Sequence, residues 1–116
     1  MDFTGVVDLK PEQVSDFMSG LQHKTKDCLR VVAEHGPIID AKLLGIENYS
    51  HFQASMTKRI RTLTDDKNAR LITWGDWMKS ENGDITFYYG VTIVTYKSLR
   101  MYFDLQDGEQ EDAEQE

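Results

Sequence analysis

The sequence predicts a small α+β domain: helices first, then a β-hairpin, then an acidic tail. Three observations carry that expectation. Phe52, Met56, Ile60 and Leu63 recur at the spacing of one helical face. Asn82-Gly83, a dipeptide suited to a type I′ turn, separates two runs rich in β-branched and aromatic residues, "RLITWGDWMKS" and "DITFYYGVTIVTY". Beyond Arg100 there are seven acids and no cation.

The elements follow in chain order. In "KPEQVSDFMSGL", Pro11 and Glu12 mark a helix start, and Val14, Phe17, Met18 and Leu21 make one apolar stripe. "HKTKDCLRVVAEHGP" either continues that helix past Gly20 or forms a second one. Its Cys28, Leu29, Val31 and Val32 should face inward, and Gly36-Pro37 should end it. "IIDAKLLGI" reads as a short helix built on Ile39, Leu43 and Leu44, closed at Gly45 by a left-handed turn. The helix over about 49–65 comes next. A period of 100° per residue puts Ser50, His51, Ala54, Thr57, Lys58 and Arg61 opposite its apolar side. After the hairpin, Val91, Thr92, Ile93, Val94 and Thr95 favour a further strand. Trp74 and Trp77, three apart in a strand, should point to opposite faces.

Charge is unevenly distributed. The chain has 116 residues and a formal charge of −7, yet residues 1–103 carry as many bases as acids. "DGEQEDAEQE" has too little apolar surface to offset its ordering entropy, so a domain over 1–105 and a disordered tail over 106–116 are expected. Within the domain, Lys58, Arg59, Arg61, Lys67 and Arg70 outnumber Asp65 and Asp66, making one cationic patch.

Several function classes find no support. The chain shows no nucleophile elbow, glycine-rich phosphate loop or paired-carboxylate signature, so no enzyme and no cofactor are expected. Cys28 is a lone cysteine without metal-ligand spacing to His23 or His35, which reads as a buried structural thiol and no metal site. No membrane span or secretory signal is evident, and a cytoplasmic location is the expectation.

The order of helix, Gly-Pro, short helix, glycine turn, longer helix with outward cations and hairpin resembles the winged helix-turn-helix family of DNA-binding regulators. The resemblance spans about residues 24–90 and centres on "CLRVVAEHGPIIDAKLLGIENYSHFQASMTKRIRTLTDDKNARLITW". It implies a three-helix core plus wing, preceded here by an extra N-terminal helix, with the second helix of the motif seated in the major groove of double-stranded DNA. Carried over by position, the readout surface is Ser50, His51, Thr57, Lys58 and Arg61, with Gln53 at its edge and Lys79 and Asn82 at the wing tip. The resemblance also implies a homodimer matched to two half-sites, held by Val14, Phe17, Met18 and Leu21 or by the C-terminal run. The alternative is an acidic protein-interaction module, an inhibitor or nucleic-acid mimic, whose partner is a protein.

Overall fold

The computed structural model describes residues 2–79 and 85–105, with the backbone alone for 76–79 and 85–86. Among these residues the fold is α+β, with four α-helices and one three-stranded antiparallel sheet: α1 Pro11–Ser19, α2 His23–His35, β1 Ile38–Asp40, α3 Tyr49–Thr64, β2 Thr73–Lys79, β3 Ile85–Gly90 and α4 Ile93–Tyr102. The expected tail over 106–116 and the Asn82-Gly83 turn lie outside the described residues.

Helix α1 begins as its sequence requires. Pro11 takes the first helical position, where its missing N–H costs nothing, and the Gln13 side chain accepts the Lys10 N–H at 2.9 Å. Val14, Phe17 and Met18 are buried in the core, and Leu21 is half-buried. The chain does not run on past Gly20 as one helix; α2 is separate and ends at Gly36. Cys28, Leu29 and Val32 face the core, whereas Val31 is half-buried.

Residues 38–44 differ from expectation. In place of a short helix the chain forms strand β1 and a single 3-10 turn, Ala41–Leu44, with the Asp40 carboxylate accepting the Lys42 N–H at 2.9 Å. The reason is tertiary: Ile38, Ile39 and Asp40 pair with Gly90, Tyr89 and Tyr88 of β3, so their backbone groups are committed before a helix can start. Leu43, expected inside, is exposed, while Ile39 and Leu44 are buried. Gly45 does take the left-handed conformation, at φ 63°.

The sheet order is β1-β3-β2. Strands β2 and β3 pair as antiparallel neighbours from Thr73↔Gly90 to Lys79↔Ile85, as the hairpin reading requires, with one extra residue in β2 between Gly75 and Met78. Ile39, Tyr89 and Trp74 stand in one row across the sheet. Tyr89 forms the hub of an aromatic cluster, with ring centroids 5.5 Å from Phe52, 5.2 Å from Phe87 and 6.2 Å from Trp74. Tyr49 meets Phe87 edge-on at 5.3 Å. These contacts lock the first turns of α3 to the sheet. The bulge breaks simple alternation along β2, and the Trp77 side chain lies outside the described residues.

The run after the hairpin is a helix, α4, and not the expected strand. Thr92 caps it by accepting the Thr95 N–H at 3.2 Å, and Leu99 is fully buried where α4 packs between α1 and α2. Tertiary burial overrides the β-propensity of "VTIVT". A parallel bridge between Val6 and Arg70 draws the N-terminal segment over the loop between α3 and β2.

Candidate nucleic-acid interface

Helix α3 positions the candidate site, and its start is locally encoded. The Asn48 side chain accepts the His51 N–H at 2.9 Å, satisfying one of the amino-terminal donors that have no partner within the helix. Sixteen residues follow, closed by Asp65 in the left-handed conformation. Phe52, Met56 and Ile60 are buried as the spacing predicts, with Leu63 half-buried.

The opposite side is uncovered. Ser50, His51, Ala54, Lys58 and Arg61 are exposed, and Thr57 is half-buried. The second half of this face, with Thr57, Lys58, Arg61 and Lys67, opens onto a shallow cleft of about 550 Å³ that also includes Asp65 and Asp66. Its charge is therefore mixed.

Gln53 is not free to read a ligand. Its amide donates to the Tyr89 hydroxyl at 2.8 Å, tying α3 to the sheet. Burial drives the Tyr89 hydroxyl pKa up to about 12, against a smaller opposing effect of that hydrogen bond. Lys79 ends β2 with its side chain outside the described residues, and Asn82 lies wholly outside them.

The cationic patch read from sequence is largely committed to structure. Arg59 turns back onto α1, where Nε donates to the Phe17 carbonyl at 3.0 Å, Nη2 donates to the Asp16 carbonyl and the guanidinium lies 3.5 Å from the Asp16 carboxylate. Arg70 donates to Thr73 Oγ1 at 2.8 Å and stacks over Trp74 at 5.9 Å. Arg61 Nε donates to the Ala69 carbonyl at 3.1 Å, bracing the loop that leads to β2, while the side chain stays exposed. Lys58 and Lys67 make no such bond among the described residues. No sequence signal separates these roles, because each partner carbonyl is brought up by the fold.

Elsewhere the chemistry is sparse. Cys28 is buried, and desolvation, with the Asp27 charge adding to it, raises its thiol pKa and keeps it protonated. Among the described residues no three His, Cys, Asp or Glu side chains gather as a metal-binding group, and no helix is long and apolar enough to cross a membrane. Compared with protein-family models, curated proteins and solved structures, the chain matches none.

Proposed function

We propose that the chain is a winged helix-turn-helix protein that binds double-stranded DNA as a small transcriptional regulator, with α3 as the recognition helix and the β2–β3 hairpin as the wing. The observation that carries this reading is the two-sidedness of α3: its apolar face is locked to core and sheet, while Ser50, His51, Ala54, Lys58 and Arg61 stand uncovered on the other side. The element order supports it, since β1 and the 3-10 turn precede α3 and an antiparallel hairpin follows it in a sheet of order β1-β3-β2. A helix of sixteen residues is about 24 Å long, enough to lie along a major groove about 12 Å wide.

The test is fluorescence anisotropy on duplex DNA at about 50 and about 200 mM salt, where each lost phosphate contact lowers the slope of log affinity against log salt by roughly one unit. Lys58→Ala should lower the slope by about one, and Ser50→Ala with His51→Ala should weaken preferred sequences more than random ones. Duplex binding that ignores both changes would remove α3 from the interface.

Of the two surfaces expected to hold a homodimer on paired half-sites, the C-terminal run in α4 is the one left open, because Val14, Phe17 and Met18 are spent inside the domain whereas Ile93, Val94 and Met101 are exposed. The second reading, a protein-interaction module on the same scaffold, draws on the internal commitment of Arg59 and Arg70 and on Asp65 and Asp66 beside the cleft. It expects the α3 face to be engaged by a protein and duplex DNA to be ignored at low salt.

A further inference from the structure

Helix α4 holds four large apolar side chains against water. Ile93, Val94, Met101 and Tyr102 are 53, 40, 66 and 43% exposed in a helix of ten residues. At 100° per residue Ile93, Val94, Lys97 and Met101 fall within about 100° of one another, with Tyr102 to one side, and Lys97 is the one charge in that stripe. The polar residues Thr95, Ser98 and Arg100 are turned inward. The helix therefore cannot rotate to hide its stripe without breaking the bonds from Thr95 to Leu9 and from Arg100 to Ala33. An apolar patch held outward in this way marks an interaction surface.

The stripe is complementary to itself. Val94 and Met101 are seven residues apart, so they lie within about 20° of one line along the helix, at equal distances from the point between Lys97 and Ser98. A two-fold axis through that point lays a second α4 antiparallel on the first. It sets Val94 of each copy against Met101 of the other, a short branched side chain against a long flexible one.

Charge selects the same direction. Asp104, exposed just past the carboxyl end of α4, comes level with the amino end of the opposing helix, where unpaired N–H groups carry partial positive charge. A parallel pair would align the two dipoles and bring Asp104 to Asp104. In the antiparallel pair the two Lys97 flank the axis, where a lone cation in an apolar stripe lowers affinity and fixes the register. The exposed fractions amount to on the order of 400 Å² per copy, about half the ~800 Å² of a standard interface, so the association is reversible.

We propose that a second copy of this chain covers α4, the two helices packing antiparallel about a two-fold axis between Lys97 and Ser98, with a dissociation constant on the order of 100 μM. Use of that dimer on paired DNA half-sites rests on the proposed function; the pairing of α4 with α4 does not.

The experiment is sedimentation equilibrium of the full chain between about 10 μM and about 1 mM, bracketing that constant. Lys97→Leu should tighten the dimer roughly tenfold and Met101→Glu should weaken it by at least as much, both at exposed positions that leave the monomer folded. Direction is read by cross-linking. Val94→Cys mixed with Met101→Cys in a disulfide-exchange buffer should link the copies, whereas Met101→Cys alone should not, because its two thiols stand about 10 Å apart along the helix. Cys28 is buried and does not compete. A link formed by Met101→Cys alone, or self-association unaltered by Lys97→Leu and Met101→Glu, would overturn the proposal. So would a chain that stays monomeric at about 1 mM, whether its α4 amides shift with anionic lipid vesicles, which would give the face to a membrane, or do not, which would leave it to a different protein. The DNA assay keeps the two readings apart: a dimer that ignores DNA retains the α4 pairing and removes the regulator, and DNA binding by a monomer does the reverse.

Discussion

Helices α1 and α4 pack against one another and bury opposite kinds of surface. From α1, Val14, Phe17 and Met18 enter the core and Glu12, Ser15 and Asp16 face water. From α4, Thr95, Ser98 and Arg100 are buried beside Leu99, while Ile93, Val94 and Met101 are exposed, Met101 by 66%. One helix obeys the apolar-inside rule and its neighbour half inverts it. Two of the three buried polar groups of α4 complete hydrogen bonds that belong to other elements, whereas the Ser98 hydroxyl has no partner among the described residues. Thr95 Oγ1 accepts the Leu9 N–H at 2.8 Å, and Arg100 Nη1 donates at 2.8 Å to the Ala33 carbonyl in the last turn of α2. That carbonyl has no partner within its own helix, and a cation suits the negative end of the helix dipole. The difference teaches that burial on α4 is decided by unmet backbone groups nearby as much as by hydrophobicity.

The sharpest way to break this comparison is to truncate each helix on its best-buried and its most exposed side. Phe17→Ala should cost about 3–5 kcal/mol in urea unfolding, the largest effect expected here, because Phe17 is 0% exposed and its loss opens a cavity. A loss below about 1 kcal/mol would mean that α1 is not a core element.

Next come the polar groups of α4. Thr95→Val keeps the shape but leaves the buried Leu9 N–H without its acceptor, for an expected loss of about 1–3 kcal/mol, whereas Thr95→Ser retains the hydroxyl and should recover much of it. Equal behaviour of the two variants would show that the hydroxyl does not matter and that α4 is held by packing alone.

Tyr89 extends the same idea to the sheet through pH. With its pKa raised from 10.0 to about 12, the folded protein holds this proton more tightly than the unfolded chain does. The contribution is therefore complete below pH 10 and is lost as pH rises towards 12. Urea midpoints should fall more steeply across that window for the parent protein than for Tyr89→Phe. Parallel curves would mean that Tyr89 ionises as it does in the unfolded chain.

The smallest effect is expected at Met101→Gln, within about 0.5 kcal/mol at low protein concentration, since the side chain has few neighbours to lose. A larger loss that grows with protein concentration would show that a second copy covers the exposed side of α4, and light scattering would confirm it.

Much of the candidate site was legible in the sequence for local reasons. The period of Phe52, Met56 and Ile60 defines both sides of α3, and Gly45 takes the positive φ that the preceding turn requires. What escaped was partnership. Nothing in "MTKRIRTL" separates Arg59, held by carbonyls of α1, from Lys58, which points to water. Gln53 likewise lies at the edge of the outward face by angle, yet it is tied to Tyr89, 36 residues away in the chain.

By itself the sequence determined the elements whose signals are short-ranged: the proline start of α1, the glycine turn, the two-sided α3 and the antiparallel pairing of β2 with β3. Periodicity and backbone restriction act within a few residues and need no knowledge of neighbours. The tertiary structure alone decided that residues 38–40 become a strand, that "TIVTYKSLRMY" becomes a helix, that Arg59 and Arg70 brace the fold, and that Ile93, Val94 and Met101 of α4 stay exposed. In each case the outcome depends on a pairing strand, a buried surface or a carbonyl supplied by a distant part of the chain, and such long-range terms exceed the fractions of a kcal/mol by which one residue prefers helix or strand.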